Sequence, residues 1–362
     1  MPNDIQRQPA ELLYQQELDA LIANEKYPVP AGWRMSPRSV LTYLMGGRAG
    51  STEITPKYIG EKRPIEIAVS TLLTDRALLL VGEPGTAKSW VSEHLAAAIN
   101  GNSSQVIQGT AGTTEEQIRY SWNYAMLLAQ GPSFESLVKS PVYNAMETGT
   151  IARIEEISRC ASEVQDALIS ILSEKRISVP ELSAEVAAKR GFSVIATANT
   201  RDKGVNEMSA ALKRRFNVVV LPPPPDMETE ISIVRSRVAQ LSKGMELGAK
   251  IPDKSAFEKI VTVFRELRLG QTLDGQVKVK SPAGTLSSAE AISLIINSMA
   301  LAGSFGTGEV TDADLASALQ GAIVKDEGSD GAVWREYLEN VMRKKGKAFS
   351  GLYESLGRLN QL

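Results

Sequence analysis

The chain has 362 residues, of which 43% are hydrophobic and 23% are charged, so it has room for two or three domains with ordinary hydrophobic cores. Its 40 Lys and Arg residues nearly balance its 42 Asp and Glu residues, for a net charge of −2. This balance provides no overall basic field for a nucleic acid backbone, which argues against nucleic acid as a partner.

The single cysteine, Cys160, excludes an internal disulfide, and the single histidine, His94, leaves too few ligands for an N/S-type zinc site. We interpret His94 as a packing or surface residue on a predicted helix. The N-terminus lacks the pattern of a signal peptide, and no apolar run reaches the ~18–20 residues that span a membrane. We therefore expect a cytoplasmic protein with no membrane span.

The first 55 residues are predicted to form a small helical leader. Apolar residues recur at helical spacing over residues 8–25. A second helix is expected from Ser36-Pro37, an N-cap followed by proline, to Leu44, before Gly46-Gly47.

Residues 56–222 are predicted to form an α/β domain, because apolar strands alternate with helices. The expected strands cover residues 77–81, 105–107, 150–154, 192–197 and 217–221, and the expected helices cover residues 65–73, 90–99 and 163–173. This order indicates a parallel sheet with helices on both faces. The proline run 222–225 then marks a boundary. Beyond it we predict a helical lid domain over 226–326 and a C-terminal helical tail over 327–362.

A glycine-rich turn joins the first strand of this domain to the next helix, with the sequence Gly82-Glu83-Pro84-Gly85-Thr86-Ala87-Lys88-Ser89. This context is typical of a P-loop, in which backbone N–H groups surround phosphates. Lys88 is expected to reach the β- and γ-phosphates of ATP, and the Ser89 hydroxyl is expected to ligate Mg²⁺. Ala87 replaces the usual glycine, and its methyl group is compatible with the loop if the backbone there is right-handed.

The strand 150–154 ends in the acidic pair Glu155 and Glu156. In a P-loop ATPase, the first acid would support Mg²⁺ and the second would polarise the attacking water. The alternative is that both are ordinary surface carboxylates. Their position 67 residues after Lys88 favours the functional interpretation.

Two further polar features follow. Asn199 ends the strand near 192–197 and is interpreted as a partner of the attacking water or the γ-phosphate, or else as a turn residue. Arg214 and Arg215 close a short helix before the last strand. Either one could be an arginine finger directed at a neighbouring subunit, or both could neutralise a helix C-terminus.

These four motifs occur in the order of AAA+ ATPases, and over about residues 56–325 the chain resembles the MoxR group of that class. The resemblance implies an AAA+ α/β core with a C-terminal helical lid, and places the P-loop residues 83–89 on ATP and Mg²⁺. Ile59 and Gly60 lie where the group contacts adenine. Two inserted hairpins are expected, near 120–131 and 177–187. Tyr120, Trp122 and Tyr124 in the first insert either project outward or simply pack.

The resemblance also implies a hexameric ring acting on a protein client, often with a separate von Willebrand factor A domain protein. Two departures stand out. The metal-side acid is Glu155 rather than Asp, and no arginine lies near Ala289, where the lid helix usually carries one. Lys278 or Lys280 could substitute for it.

We carry three functional hypotheses from the sequence. The first is an ATP-driven remodeller of a protein partner. The second is a nucleotide-dependent assembly scaffold with weak hydrolysis, and the third is a DNA-acting motor, which the near-neutral charge disfavours.

Overall fold

The structure, a computed structural model, describes residues 7–200, 208–282, 284 and 286–359. The chain divides into two compact units. One comprises Met1–Glu83 with Ala87–Pro222, and the other comprises Pro84–Thr86 with Pro223–Leu362.

The first unit begins with the leader, which contains helices α1 (Ala10–Leu13), α2 (Gln15–Ala23) and α3 (Pro37–Met45) and strands β1 (Gly47–Ala49) and β2 (Thr52–Ile54). Helix α3 starts where predicted, because the Ser36 hydroxyl accepts a hydrogen bond from the Ser39 N–H at 3.2 Å. The leader is mainly helical, but it also contains the antiparallel β1–β2 hairpin, which the sequence analysis did not predict. Its strands have three residues each, too few to show an alternating pattern.

The remainder of the first unit alternates strands and helices. In chain order these are α4 (Lys62–Thr71), β3 (Ala77–Gly82), α5 (Lys88–Asn100), β4 (Val106–Gln108), α6 (Glu115–Ile118), β5 (Tyr120–Trp122), α7 (Tyr124–Gln130), β6 (Leu137–Lys139), α8 (Pro141–Thr148), β7 (Ile151–Glu155), α9 (Ser162–Glu174), β8 (Arg176–Val179), β9 (Ala184–Ala187), β10 (Ser193–Asn199), α10 (Ala210–Lys213) and β11 (Phe216–Val220).

Five of these strands form a parallel sheet in the order β11-β3-β10-β7-β4. The central strands are largely buried on both faces, as expected when helices cover both sides. The register pairs Asn199 with Gly82 and Gln108 with Glu155. The carboxyl ends of β3, β7 and β10 therefore meet at one edge of the sheet, which is the edge that carries ligands in open α/β folds.

The two expected inserts have different structures. In the first, β5 and β6 pair antiparallel but are separated by α7, so the segment 120–131 is a strand followed by a helix and not a hairpin. The reason is local, because the Asn123 side chain caps α7 by accepting from the Met126 N–H at 3.3 Å, and the following residues are good helix formers. In the second, β8 and β9 pair antiparallel over residues 176–187.

The second unit is helical, with α11 (Met227–Leu241), α12 (Lys254–Leu269), α13 (Ser288–Phe305), α14 (Asp312–Ile323), α15 (Asp330–Asn340) and α16 (Lys347–Leu359). Its hydrophobic core is its own, and α15 and α16 contribute Trp334, Tyr337, Leu352 and Leu356 to it. The segment separated above as a tail therefore packs into the same core as α11–α14.

Within the described residues, α13 is the one helix that is long and apolar enough to cross a membrane. This is weak evidence for a span, since a core helix passes the same test, and α13 places Leu294, Ile295 and Met299 in the core of the second unit.

Candidate active site

The turn between β3 and α5 places Lys88 at the first position of the helix, with its side chain buried. The Lys88 ammonium donates to the backbone carbonyls of Gly82 at 3.2 Å and Glu83 at 2.7 Å. The N-cap residue of α5 is Ala87, whose side chain forms no capping hydrogen bond. A helix N-terminus with a cation beside it is suited to an anion.

Ala87 adopts a left-handed backbone conformation, with φ 64° and ψ 21°. The condition given above for an unstrained methyl group, a right-handed backbone, is therefore not met at this position. The turn demands the geometry that glycine usually supplies, and the alanine methyl group makes it unfavourable by roughly 1–2 kcal/mol. Strain of this kind is found at functional loops that the surrounding structure holds in place.

Ser89 and Glu155 meet across the edge of the sheet. The Ser89 hydroxyl donates to Glu155 Oε2 at 2.5 Å, and the Thr197 hydroxyl donates to the same oxygen at 2.8 Å. Burial raises the pKa of Glu155, but the Arg153 charge and the Ser89, Ser92 and Thr197 hydroxyls outweigh it, so the pKa lies below its usual value. Glu155 is therefore held as a carboxylate beside the P-loop serine.

Glu156 follows β7 in a left-handed conformation, with φ 54° and ψ 44°. Its N–H donates to the Thr197 hydroxyl at 3.0 Å, and its partly exposed carboxylate pairs with Arg159 at 2.8 Å. The same threonine thus ties the backbone of one acid and the side chain of the other to β10. This arrangement turns Glu156 out of the sheet, whereas Glu155 stays buried within it.

Asn199 ends β10 directly beside Gly82, the last residue of β3. The neighbouring Thr200 N–H donates to the Gly82 carbonyl at 3.2 Å. The structure therefore brings the base of the P-loop, the acidic pair and Asn199 to one edge of the sheet.

Arg214 and Arg215 lie at the amino ends of the parallel strands, opposite the P-loop end of the sheet. The Ala77 N–H donates to the Arg215 carbonyl at 3.1 Å, so both arginines lie near the start of β3. The P-loop begins at the other end of this strand, roughly 16 Å away for a strand of this length. Arg215 donates to the Ser173 hydroxyl and the Ala211 carbonyl, each at 2.5 Å, whereas Arg214 is exposed.

The segment with Ile59 and Gly60 is anchored through the residues just before it. The Trp90 indole on α5 donates to the Lys57 carbonyl at 2.8 Å, and the Lys57 and Tyr58 N–H groups donate to the Leu44 carbonyl. The buried Lys57 ammonium pairs with Glu17 of α2 at 2.5 Å. Burial lowers the pKa of Lys57, and Glu17 opposes that shift. The leader therefore holds this segment against α5.

Sequence reasoning missed Arg153, Lys57 and Glu17. A signal existed for Arg153, since it is a charged residue inside the otherwise apolar strand β7. Lys57 and Glu17 are 40 positions apart, and only tertiary structure pairs them. In the helical second unit, Lys280 forms an exposed ion pair with Glu336 at 3.1 Å. The suggestion that Lys278 or Lys280 replaces the missing lid arginine stays a prediction.

Comparisons with known proteins agree with this geometry. Residues 77–216 match the model of the AAA domain (dynein-related subfamily), and residues 228–361 match the YehL-like AAA+ ATPase C-terminal domain. The chain is 41% identical over 365 residues to the uncharacterized protein YehL of Escherichia coli (strain K12), covering 99% of this chain and 98% of that protein.

Other likenesses are more distant. An uncharacterized protein of Staphylococcus haemolyticus is 25% identical over 213 residues, covering 59% of this chain and 74% of that protein. A Thermotoga maritima RuvB variant is similar in structure with a TM-score of 0.43 and 15% identity, covering 84% of this chain and 85% of that one.

Taken together, the parallel sheet, the P-loop and the acidic strand end define an AAA+ P-loop ATPase of the MoxR type. Because similarity to YehL extends over nearly the whole of both chains, the protein belongs to the YehL-like AAA+ ATPase family.

Proposed function

We propose that this protein hydrolyses ATP with Mg²⁺, as a ring of identical subunits, and uses the energy to remodel or activate a protein partner. Ser89 directly follows the P-loop lysine, and its hydroxyl donates a hydrogen bond to Glu155. This contact supports the proposal most strongly. It joins the phosphate-binding turn to the acidic strand end, as phosphate chemistry requires.

The residues present fit ATP and Mg²⁺. The N-terminus of α5, the loop residues Glu83 to Ala87 and the Lys88 ammonium form a setting for phosphates. Mg²⁺ prefers oxygen ligands, and Ser89 and Glu155 would hold it directly or through water. When bound, the ion would neutralise charge that develops on the phosphate oxygens. Ile59 and Gly60 are proposed to contact adenine.

Glu156 is the proposed general base. Its carboxylate lies outside the sheet while its backbone is fixed by Thr197, so the side chain can receive a proton from water at the same edge. Asn199, beside Gly82, is proposed to orient that water. The Arg159 ion pair at 2.8 Å would have to loosen for Glu156 to reach the water.

The position of the arginines supports a ring. Because Arg214 and Arg215 lie at the sheet edge opposite their own P-loop, an arginine finger can act only on another subunit. A hexamer, a separate von Willebrand factor A domain partner and a cytoplasmic setting remain predictions from the resemblance. The exposed side chains of Tyr124 and Leu128 make the first insert our proposed contact for the client.

ATP turnover by the wild-type protein and by Glu156→Gln tests the hydrolytic step. We expect turnover by the wild type and a loss of at least about 100-fold in the variant, with ATP binding retained. Lys88→Ala should lose binding itself. A wild-type protein that binds ATP yet turns over no faster than Glu156→Gln would contradict the hydrolytic proposal.

Such an outcome would favour the second candidate, a nucleotide-dependent scaffold. Two observations support it, namely the strained Ala87 and the ion pair that holds Glu156. The scaffold predicts ATP-dependent assembly, measured by light scattering, that is the same for the wild type and Glu156→Gln.

Subunit mixing tests the finger. Neither Arg214→Ala nor Lys88→Ala should be active alone, but a mixture should regain turnover at interfaces that combine an intact P-loop with an intact arginine. The same mixture with Arg215→Ala decides between the two arginines. No recovery at any ratio with either arginine variant would contradict a finger in trans.

A further inference from the structure

Strand β7 carries a buried arginine two residues before the metal-side acid. Side chains alternate along a strand, so Arg153 and Glu155 lie on the same face, and both are at least 94% buried. The Arg153 Nη2 donates to Glu155 Oε1 at 2.8 Å. Removing two charges from water is unfavourable unless every donor and acceptor is paired.

The structure engages four of the five N–H donors of the guanidinium. Arg153 Nε donates to the Ser92 hydroxyl, Nη1 to the Ser103 carbonyl and Nη2 also to the Ser89 carbonyl, each at 3.0 Å. The planar guanidinium is thus fixed between β7 and the first turns of α5, in contact with the backbone of the P-loop serine Ser89.

The carboxylate is equally engaged. Oε1 accepts from Ser92 and Arg153, and Oε2 accepts from Ser89 and Thr197, at distances from 2.5 to 2.8 Å. A carboxylate has about four acceptor sites, so each one here has a donor, and one donor is a full positive charge. The negative charge of Glu155 is therefore balanced by the protein itself.

We propose that Arg153 is a resident counter-charge for Glu155, which lets the P-loop hold nucleotide phosphates with reduced dependence on a divalent cation. This inference rests on the proposed binding of ATP. Phosphates at Lys88 and Ser89 would be repelled by an unbalanced carboxylate, and Mg²⁺ relieves that repulsion only when it is present. Arg153 relieves it permanently, so its removal should weaken metal-free binding far more than binding with Mg²⁺. In this role Arg153 positions and neutralises Glu155 and does not itself touch the nucleotide.

Calorimetric titration of the full chain with ATP, in excess Mg²⁺ and in EDTA, measures the effect. The informative quantity is the ratio of the Kd in EDTA to the Kd in Mg²⁺. We expect Arg153→Met to raise this ratio about tenfold and Arg153→Lys, which keeps the charge, to stay within about threefold of the wild type. In the double variant Arg153→Met/Glu155→Gln the Kd in EDTA should return towards the wild-type value, because no unbalanced carboxylate remains.

Two further variants keep the inference falsifiable. Glu155→Gln alone leaves a positive charge without its partner and should lower the Kd measured in EDTA, where the loss of a metal ligand has no effect, which tests the idea even if Arg153→Met fails to fold. Arg176→Met, which removes a surface pair with Glu185, is the matched control and should leave the ratio unchanged.

An unchanged ratio in Arg153→Met, or an unchanged Kd in EDTA in Glu155→Gln, with wild-type binding intact, would overturn the inference and leave the proposed function untouched. Binding without turnover would contradict only hydrolysis. Failure of the wild-type protein to bind ATP even in Mg²⁺ would overturn both.

Discussion

Ala87 shows how one side chain can hold strain at a site without preventing its formation. Its left-handed backbone is forced by the turn from β3 into α5, and the loop accepts an alanine there although glycine has no steric penalty. The surrounding contacts of the loop and of Lys88 offset this penalty.

We therefore expect Ala87→Gly to stabilise the protein by about 1 kcal/mol, because relief of the strain exceeds the added freedom of glycine in the unfolded chain. Urea denaturation measures the free energy of unfolding. Ala167→Gly in the middle of the right-handed helix α9 is the matched control and should destabilise by about 1 kcal/mol. Destabilisation by both substitutions would contradict the strain at Ala87.

At the scale of elements, the Glu25 carboxylate accepts hydrogen bonds from backbone N–H groups on both sides of the connection between α2 and α3. Glu25 Oε1 accepts from the Lys26 and Tyr27 N–H groups, and Oε2 accepts from the Ser36 N–H at 2.7 Å. Partial burial raises the pKa of Glu25, but these backbone donors and the Ser36 and Ser39 hydroxyls outweigh it and lower the pKa to about 2.

A folded-state pKa below the unfolded value of 4.5 means that the carboxylate stabilises the fold above pH 4.5 and loses this effect as the pH falls towards 2. We expect Glu25→Gln to lower the free energy of unfolding by about 1 kcal/mol at pH 7, after allowance for solvent screening. The difference in free energy of unfolding between the wild type and the variant should then become smaller below pH 4.5. Denaturation at pH 7, 4.5 and 3.5 checks this, with Glu354→Gln on the exposed face of α16 as the control. A gap that is the same at all three pH values would contradict it.

Gly32 of the leader packs closely against Gly191 of the α/β core, which in turn packs against Gly149. A Cβ on Gly32 would lie 2.6 Å from the Gly191 Cα, and one on Gly149 would lie 2.4 Å from the Arg190 carbonyl. All three have positive φ, and the Asn100 side chain donates to the Gly32 carbonyl at 2.9 Å. Backbone segments from the leader, the end of α8 and the turn before β10 thus pack without room for any side chain.

Gly32→Ala should therefore destabilise the protein by about 2–4 kcal/mol, through overpacking and an unfavourable backbone conformation. Thermal and urea unfolding measure the effect. Gly244→Ala is the control, since a Cβ there meets no described atom within 4 Å, and it should change stability by less than about 0.5 kcal/mol. Equal effects of the two substitutions would show that the junction is not tightly packed.

At the scale of the whole molecule, each unit has its own hydrophobic core. The core of the second unit is built from α11–α16, and its C-terminal part is tied in by polar contacts as well. The buried Glu266 accepts from the Tyr337 hydroxyl at 2.6 Å and pairs with Lys345 at 2.7 Å. Removal of residues near the C-terminus should thus affect this unit first.

Leu356 of α16 is completely buried in that core, and Leu356→Ala should destabilise the second unit by about 2–5 kcal/mol. Because the cores are separate, we expect calorimetry to resolve two transitions and the substitution to lower only one of them. Leu269→Ala, at an exposed position, should lower neither by more than about 0.5 kcal/mol. A single transition that shifts as a whole would contradict the independence of the two cores.

Several features of this protein follow from sequence alone because they are local. Apolar runs predict β3, β7 and β10, the sequence beyond residue 225 predicts a helical domain, and strand ends in a parallel sheet converge on one edge. The P-loop, the acidic pair and Asn199 could therefore be predicted as a group. Short elements could not, since β1 and β2 have three residues each and α7 depends on a single cap at Asn123.

Tertiary structure alone decided how charge and strain are distributed over the P-loop site. Sequence does not show that Arg153 neutralises Glu155, that Glu17 meets Lys57, or that Ala87 is left-handed. Each depends on the burial and approach of groups on different elements, and the strength of an ionic contact varies with its surroundings. Sequence thus determined which groups reach the P-loop edge, and tertiary packing decided their charge balance and backbone strain.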